Sequence, residues 1–306
     1  MKKNAFARKV KARWQIYLLL ILPVAYLLIF CYQPMFGQII AFKDYRIGDT
    51  IWSAEWVGLD NFREFFNSYK FTLILKNTLI VSIYSFLAGF PIPIILALLL
   101  NAIPSEKFKK LVQGTSFIPY FLSVVVLVGL VNKLLNARTG LYGTTFMALT
   151  GSNPVDLFSE GSWFKHIFVW SGVWQTMGYN TVVYTAALSS VAEELHDAAK
   201  IDGASRFQRV LHIDWPAIKP TVAIMMILSL GRIMSVGYEK VLLMQNNINM
   251  NYSEVISTYV YKVGLESVVG DFSMSSTVAL FNAVINLIML FVANTMSRKI
   301  TGNSIF

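Results

Sequence analysis

The sequence predicts an all-α membrane protein with six transmembrane helices and both termini cytoplasmic, and three observations lead there. Hydrophobic residues make up 55% of the 306 positions and charged ones 14%, with a mean hydropathy of +0.54, whereas soluble domains carry about 25% charged residues. Six predominantly apolar runs reach the length of about 20 residues needed to cross a hydrocarbon layer. The basic residues behind the net charge of +9 collect at the ends of those runs, on alternate connections, as the positive-inside rule requires.

In order, the expected spans are 16–36, 71–100, 111–135, 164–188, 221–243 and 276–296. The segment 1–15, with Lys2, Lys3, Arg8, Lys9, Lys11 and Arg13, is basic and places the start of the chain in the cytoplasm. The same side is marked by Lys107, Lys109 and Lys110, by Lys200, Arg206, Arg209 and Lys219, and by Arg298 and Lys299 before the tail 300–306. The first run begins like a signal peptide, but it is long for one and no small-x-small pattern follows Ile29-Phe30-Cys31-Tyr32, so it is expected to be retained. Cys31, the single cysteine, allows no internal disulfide and is expected to serve packing. The outer connection 37–70, with Trp52 and Trp56, predicts short interfacial helices. Those at 136–163 and 245–275 are punctuated by turn residues such as Gly140, Gly151 and Gly270. Pro23, Pro91, Pro93 and Pro119 fall inside apolar runs and predict bent spans.

The connection 190–216 between spans four and five is the most informative. Ser190 with Glu193 reads as a capping box that opens one helix, with Glu193 and Glu194 in its first turn, Lys200 in its last and Gly203 as its stop. Ser205 with Gln208 forms a second box, opening a short helix with Phe207, Val210 and Leu211 on one side and Pro216 at its end. The charges keep this loop out of lipid, so two short helices and a tight turn project as a knob. Ala198, Ala199, Gly203 and Ala204 are small and let another protein approach the turn closely. A DNA-binding helix-turn-helix is excluded by charge, because Glu193, Glu194, Asp197, Asp202 and Asp214 oppose Lys200, Arg206, Arg209 and Lys219 and leave no positive face.

This loop resembles the EAA motif of ABC importer permeases, Glu-Ala-Ala-x3-Gly-x9-Ile-x-Leu-Pro, matched at that spacing by Asp197, Ala198, Ala199, Gly203, Ile213 and Pro216. Asp197 stands where the motif has Glu, and Trp215 where it has Leu. Leu22-Pro23, Trp56-Val-Gly-Leu-Asp-Asn-Phe62, Asn77-Thr78 and Thr258-Tyr-Val-Tyr-Lys-Val-Gly-Leu265 look like the binding-protein-dependent sugar (maltose-type) family, in its LplB-like polysaccharide branch. The resemblance implies a type I ABC importer permease fold and carbohydrate import. It also implies a second homologous permease, two cytoplasmic ATPase subunits and an extracellular solute-binding lipoprotein as partners. The ATPase groove would receive the turn from Asp197 through Asp202 and Gly203. The chain has no Gly-x4-Gly-Lys-Ser/Thr cradle, so Mg-ATP is expected on the partners, with no cofactor, metal or catalytic residue here.

Polar and aromatic residues within spans mark the candidate pathway, because such groups are costly in lipid and face protein or water. They are Trp174, Gln175, Tyr179 and Asn180 in span four, Arg232 and Glu239 in span five, and Asn282 and Asn286 in span six. On one continuous helix Arg232 and Glu239 stand about 10 Å apart along the axis, too far to pair, and each costs about 2.5–3.5 kcal/mol at mid-membrane without a partner. Interhelical hydrogen bonding is the alternative role for the residues of spans four and six, and a neighbouring span or the partner permease is the expected source of a counter-charge for Arg232 and Glu239. An ion-gradient-driven secondary transporter is the rival function, but the sequence has neither a chain of intramembrane acids nor an evident repeat.

Overall fold

The computed structural model describes residues 12–267 and 270–301. Lys2, Lys3, Arg8, Lys9 and Lys11, and the tail beyond Thr301, lie outside the described residues. The chain forms two compact units, one of Met1–Phe66 with Val263–Leu280 and the other of Asn67–Lys262 with Phe281–Phe306.

In the first unit α1 (Trp14–Phe42) widens to a π turn at Leu27–Tyr32 and tightens to a 3-10 turn at Gly37–Phe42. No residue from Trp14 to Phe36 is buried, Cys31 included; a helix apolar all round and covered by nothing is built for lipid or another chain. Strands β1 (Lys43–Asp44) and β2 (Glu55–Trp56) pair antiparallel, Lys43 opposite Trp56. The helix α2 (Asp60–Asn67) follows. The Trp56–Phe62 motif closes this element on itself. Trp56 stacks on Phe42 at 5.7 Å, Phe62 packs against the same ring at 5.3 Å, and Asn61 Nδ2 donates to the carbonyls of Ala41 and Lys43 at 3.0 Å.

The second unit is organised around α8 (Phe164–Leu188), which packs against α3 (Tyr69–Gly89), α4 (Pro91–Ala102), α5 (Glu106–Phe117) and α10 (Arg206–Leu230). Close approach to α5 is possible because Gly178 lies against the Ser116 backbone, with no room for a Cβ. Span three divides into α5, a 3-10 turn at Ile118–Phe121 and α6 (Val124–Leu134), bent by 105°. Pro119 interrupts the helix and the Ser123 side chain caps α6 by accepting from Val126 N. Near Pro91 span two passes from α3 to α4. The helix α7 (Leu141–Thr150) lies in the following connection. Asn77 and Thr78 bind the segment ahead of α12 (Ile256–Tyr261): Asn77 Nδ2 donates to the carbonyls of Asn251 and Glu254, and Thr78 Oγ1 accepts from Ile256 N. Beside them buried Glu254 pairs with Lys70 at 2.5 Å.

Span five departs from the continuous helix 221–243 that the hydropathy predicts. The helix ends at Leu230, the chain unwinds through 231–237, and α11 (Tyr238–Met244) resumes. The physical reason is side-chain capping from α13 (Phe272–Thr301): Asn286 Oδ1 accepts from Met234 N at 3.0 Å and its Nδ2 donates to Ser235 Oγ at 3.1 Å. Ser257 Oγ satisfies the Val236 carbonyl at 2.6 Å. Irregular backbone survives in a membrane protein where side chains pair it in this way.

Among the described residues four helical stretches are long and apolar enough to cross a membrane, namely Trp14–Phe42, Tyr69–Ala102, Arg206–Leu230 and Phe272–Lys299, and the bent α5–α6 pair makes a fifth if it is one span. The helix α8 is 25 residues long but carries too many polar residues to qualify by composition.

Candidate functional site

Two hydrophobic clusters grip the ends of α8. Phe164 and Ile167 pack with Val81, Val128, Val241 and Val255, while Tyr184 and Leu188 pack with Ile94, Ala97 and Ile218. Between them the helices part, at the α3–α4 joint on one side and at the unwound 231–237 segment on the other, leaving a cavity of about 490 Å³. Its wall combines hydroxyls (Ser82, Ser85, Thr176, Ser229), rings (Phe86, Phe90, Phe168, Tyr184) and two cations, Arg232 and Lys240. Hydroxyls and amides can exchange hydrogen bonds with a sugar, and the rings can cover its apolar C–H faces.

Of the sequence candidates, Gln175, Asn180 and Arg232 line this cavity. Gln175 also donates to the Leu122 carbonyl at 2.9 Å, tying α8 to the α5–α6 bend. Trp174 instead lines an apolar groove with Ile92, Leu96 and Met177, and Tyr179 stacks face to face on Tyr120 at 3.9 Å. Asn286 is spent on capping the break, and Asn282 Oδ1 is buried without a hydrogen-bond partner. Glu239 is exposed in the first turn of α11, so the helical spacing that separates it from Arg232 in sequence does not apply. Lys240, next to Glu239 and close to the end of span five, is not singled out by the sequence, yet it lines the cavity from the first turn of α11. Its Nζ donates to the Phe168 carbonyl at 2.8 Å and lies 4.7 Å from the Phe168 ring centre.

The connection between spans four and five forms α9 (Glu193–Ile201), a turn and the start of α10. Gly203 adopts φ +80°, where a side chain is strained. The turn is closed by Gly203 N donating to the Lys200 carbonyl and Ala204 N to that of Ala199. The Ser205–Gln208 capping box is present, with bonds of 3.3 and 2.7 Å. The Ser190–Glu193 box is not: Ala192 is the N-cap, and Ser190 Oγ donates to the Ala187 carbonyl, completing the end of α8. Nor does Pro216 end the second helix. A π turn at Val210–Asp214 precedes it and the helix runs on to Leu230, since a wider turn and a first-turn position both accommodate the missing N–H.

Ala198, Ile201, Asp202 and Phe207 are exposed, Ile201 at 87% and Phe207 at 75%, so the tip of the knob is apolar. Asp197 is also exposed and accepts from Lys200 Nζ at 2.7 Å; that hydrogen bond and the ammonium charge lower its pKa. The base of the knob is fixed. Buried Asp214 accepts from Asn101 Nδ2 at 3.0 Å and lies 3.2 Å from His196 Nε2, joining α9, α10 and the end of α4 through one carboxylate. Ile213, half-buried, precedes it.

Residues 75–302 match the family described as binding-protein-dependent transport system inner membrane component. The chain belongs to this family of permeases. Among relatives of this permease is Protein LplB of Bacillus subtilis (strain 168), 38% identical over 96% of this chain and 91% of that one. Another is the polygalacturonan/rhamnogalacturonan transport system permease protein YteP of the same organism, 36% identical over 100% of this chain and 94% of that one. Among solved structures, the permease resembles a chain of a bacterial ABC transporter involved in the import of the acidic polysaccharide alginate. The TM-score is 0.88 at 35% identity, covering 97% of this chain and 99% of that one. The same level of match holds for that transporter in complex with an alginate pentasaccharide-bound periplasmic protein. The permease is an integral membrane protein of the sugar ABC importer type.

Proposed function

We propose that this chain is one of two membrane-spanning subunits of an ABC importer that takes up oligosaccharides across the bacterial plasma membrane, a second related permease completing the pathway. The observation that carries this reading is the presence, in one compact unit, of a polar and aromatic cavity along α8 and a projecting knob with an apolar tip and a locked base. Six crossings are the five apolar stretches and α8. At about 1.5 Å per residue α8 measures about 37 Å, more than the ~30 Å of hydrocarbon, and its polar residues turn toward the cavity and neighbouring helices rather than lipid. The basic connections then lie in the cytoplasm with both termini.

The knob, Asp197 to Ala204 with Ile213 and Pro216 behind it, seats in a cytoplasmic ATPase subunit, and two such subunits hold Mg-ATP. This chain contributes no catalysis and no cofactor. An extracellular solute-binding lipoprotein delivers the sugar. Closure of the ATPases pushes on the knob, and because Asp214 joins it to α4 and α10, the push reaches two walls of the cavity and favours one of two arrangements of the spans. The test is to co-purify the chain with its permease, ATPase and binding-protein partners and measure binding-protein-stimulated ATP hydrolysis in lipid. Gly203→Asp puts a charged side chain at a φ of +80° on the docking turn and is expected to reduce stimulation at least tenfold with loss of the ATPase. Unchanged stimulation in that variant refutes the coupling role.

A further inference from the structure

The cavity is electrostatically one-sided. Arg232 and Lys240 both line it, and among the described residues no acidic side chain does. Among the described residues neither cation has an acidic side chain within ion-pairing distance. Glu239, next to Lys240 in sequence, is exposed on α11 away from the wall, and Glu254 is engaged by Lys70 and Lys262. A cation within a membrane domain is costly without a counter-charge or water around it; Arg232 is exposed and Lys240 half-buried along the cavity. Arg232 is nevertheless presented to the cavity by the unwound segment that Asn286 and Ser257 hold, and Lys240 by the first turn of α11, which follows it. Lys240 uses one of its three N–H donors on the Phe168 carbonyl, leaving two, and the Arg232 guanidinium offers the planar fork that matches a carboxylate. Neutral sugars need hydroxyl and amide partners, which Ser82, Ser85, Thr176 and Asn180 already supply; they have no use for two unpaired cations.

We propose that this cavity takes an anionic oligosaccharide, Arg232 and Lys240 pairing with a uronate carboxylate while Phe86, Phe90 and Phe168 cover the sugar rings. The inference rests on the importer reading above and adds the charge of the substrate to it. A cavity of about 490 Å³ falls within the usual range of small-molecule sites, about 300–1,000 Å³, so a short segment of the chain rather than a long polymer occupies it at once.

The experiment measures binding of trigalacturonate, and of its carboxyl-reduced neutral counterpart, to the solubilised permease–ATPase complex without binding protein, so that any discrimination belongs to the cavity. The wild type is expected to bind the anionic trisaccharide at least tenfold more tightly, with the margin shrinking as salt rises. The double variant Arg232→Gln, Lys240→Met is expected to bind the two equally, and Arg232→Lys to retain most of the preference. Binding-protein-stimulated ATP hydrolysis in each variant reports that the complex is assembled. Equal binding of the two trisaccharides by the wild type, a preference that survives in the double variant, or binding of neither overturns the proposal. If stimulated hydrolysis persists in any of these cases, the importer reading stands without the charge preference; if the wild type shows no stimulation, both fall together.

Discussion

Gly178 is the point where α8 and α5 approach most severely, and substituting it tests whether the packing that frames the cavity is as described. A Cβ built at Gly178 falls 2.7 Å from Phe117 N and closer still to the Ser116 carbonyl. All of these atoms are backbone, so no rotamer change relieves the clash. Carbon contacts become favourable at about 3.5 Å, so relieving the closer Ser116 contacts requires the two helices to separate by more than ~1 Å. Overpacking a close contact costs typically about 1–3 kcal/mol, and with no flexible atom to yield, Gly178→Ala belongs at the upper end. At about 2–4 °C per kcal/mol for larger domains, the melting temperature drops by about 6–12 °C. Gly129→Ala on α6 and Gly114→Ala on α5 are the controls: beyond the helix's own neighbouring backbone nothing lies within 4 Å of either added Cβ, and alanine is favoured over glycine in a helix by about 1 kcal/mol. The assay is tryptophan-fluorescence melting of the purified complex in detergent. A Gly178→Ala melt superimposable on that of Gly114→Ala would refute the close packing of α8 on α5 and the cavity wall that depends on it.

Three other expectations concern the knob and the break. Asp214→Ala leaves the half-buried Asn101 and His196 without their shared acceptor, at a cost at the low end of the about 1–3 kcal/mol of a buried unsatisfied group. Hydrogen exchange in 193–209 should therefore rise, whereas Asp214→Asn, which keeps an acceptor oxygen, should raise it less. Asn286→Ala orphans Met234 N for a similar cost, and Asn286→Asp, which can still accept that bond, should recover most of the lost melting temperature; equal losses in the two variants would remove the capping role. Asp197 is held below the usual carboxylate range by Lys200. Its folded pKa being depressed, the contribution of the pair is present above the unfolded value and is lost only as pH falls through the lower folded value. ATPase retention on an affinity column should accordingly show no Asp197 transition from pH 5 to 8, and Lys200→Met should move the acid limb upward.

The sequence by itself determined that the chain lives in a membrane, because 55% hydrophobic composition and apolar runs with alternating basic flanks have no other stable solution. It also determined the knob, since the motif from Asp197 to Pro216 is written in local rules: Gly203 for a positive φ, and Ser205 with Gln208 for a capping box. It misassigned Ser190 and Pro216 because a cap and a helix end are each a competition. Ser190 loses its cap to the Ala187 carbonyl, and Pro216 is absorbed by a π turn that local propensity does not announce. The cavity was legible only in part. Gln175, Asn180 and Arg232 stand out as polar residues in apolar runs, but Trp174 and Tyr179, equally conspicuous, face a groove and a ring stack. Tertiary structure alone made the choice, unwound 231–237, and brought Lys240 to the wall from α11. That unwinding depends on Asn286, which is 52 residues away from Met234 in sequence. Hydropathy sums a window along the chain, whereas the pairing of a freed backbone N–H is decided by whichever side chain the packing brings within 3.0 Å of it.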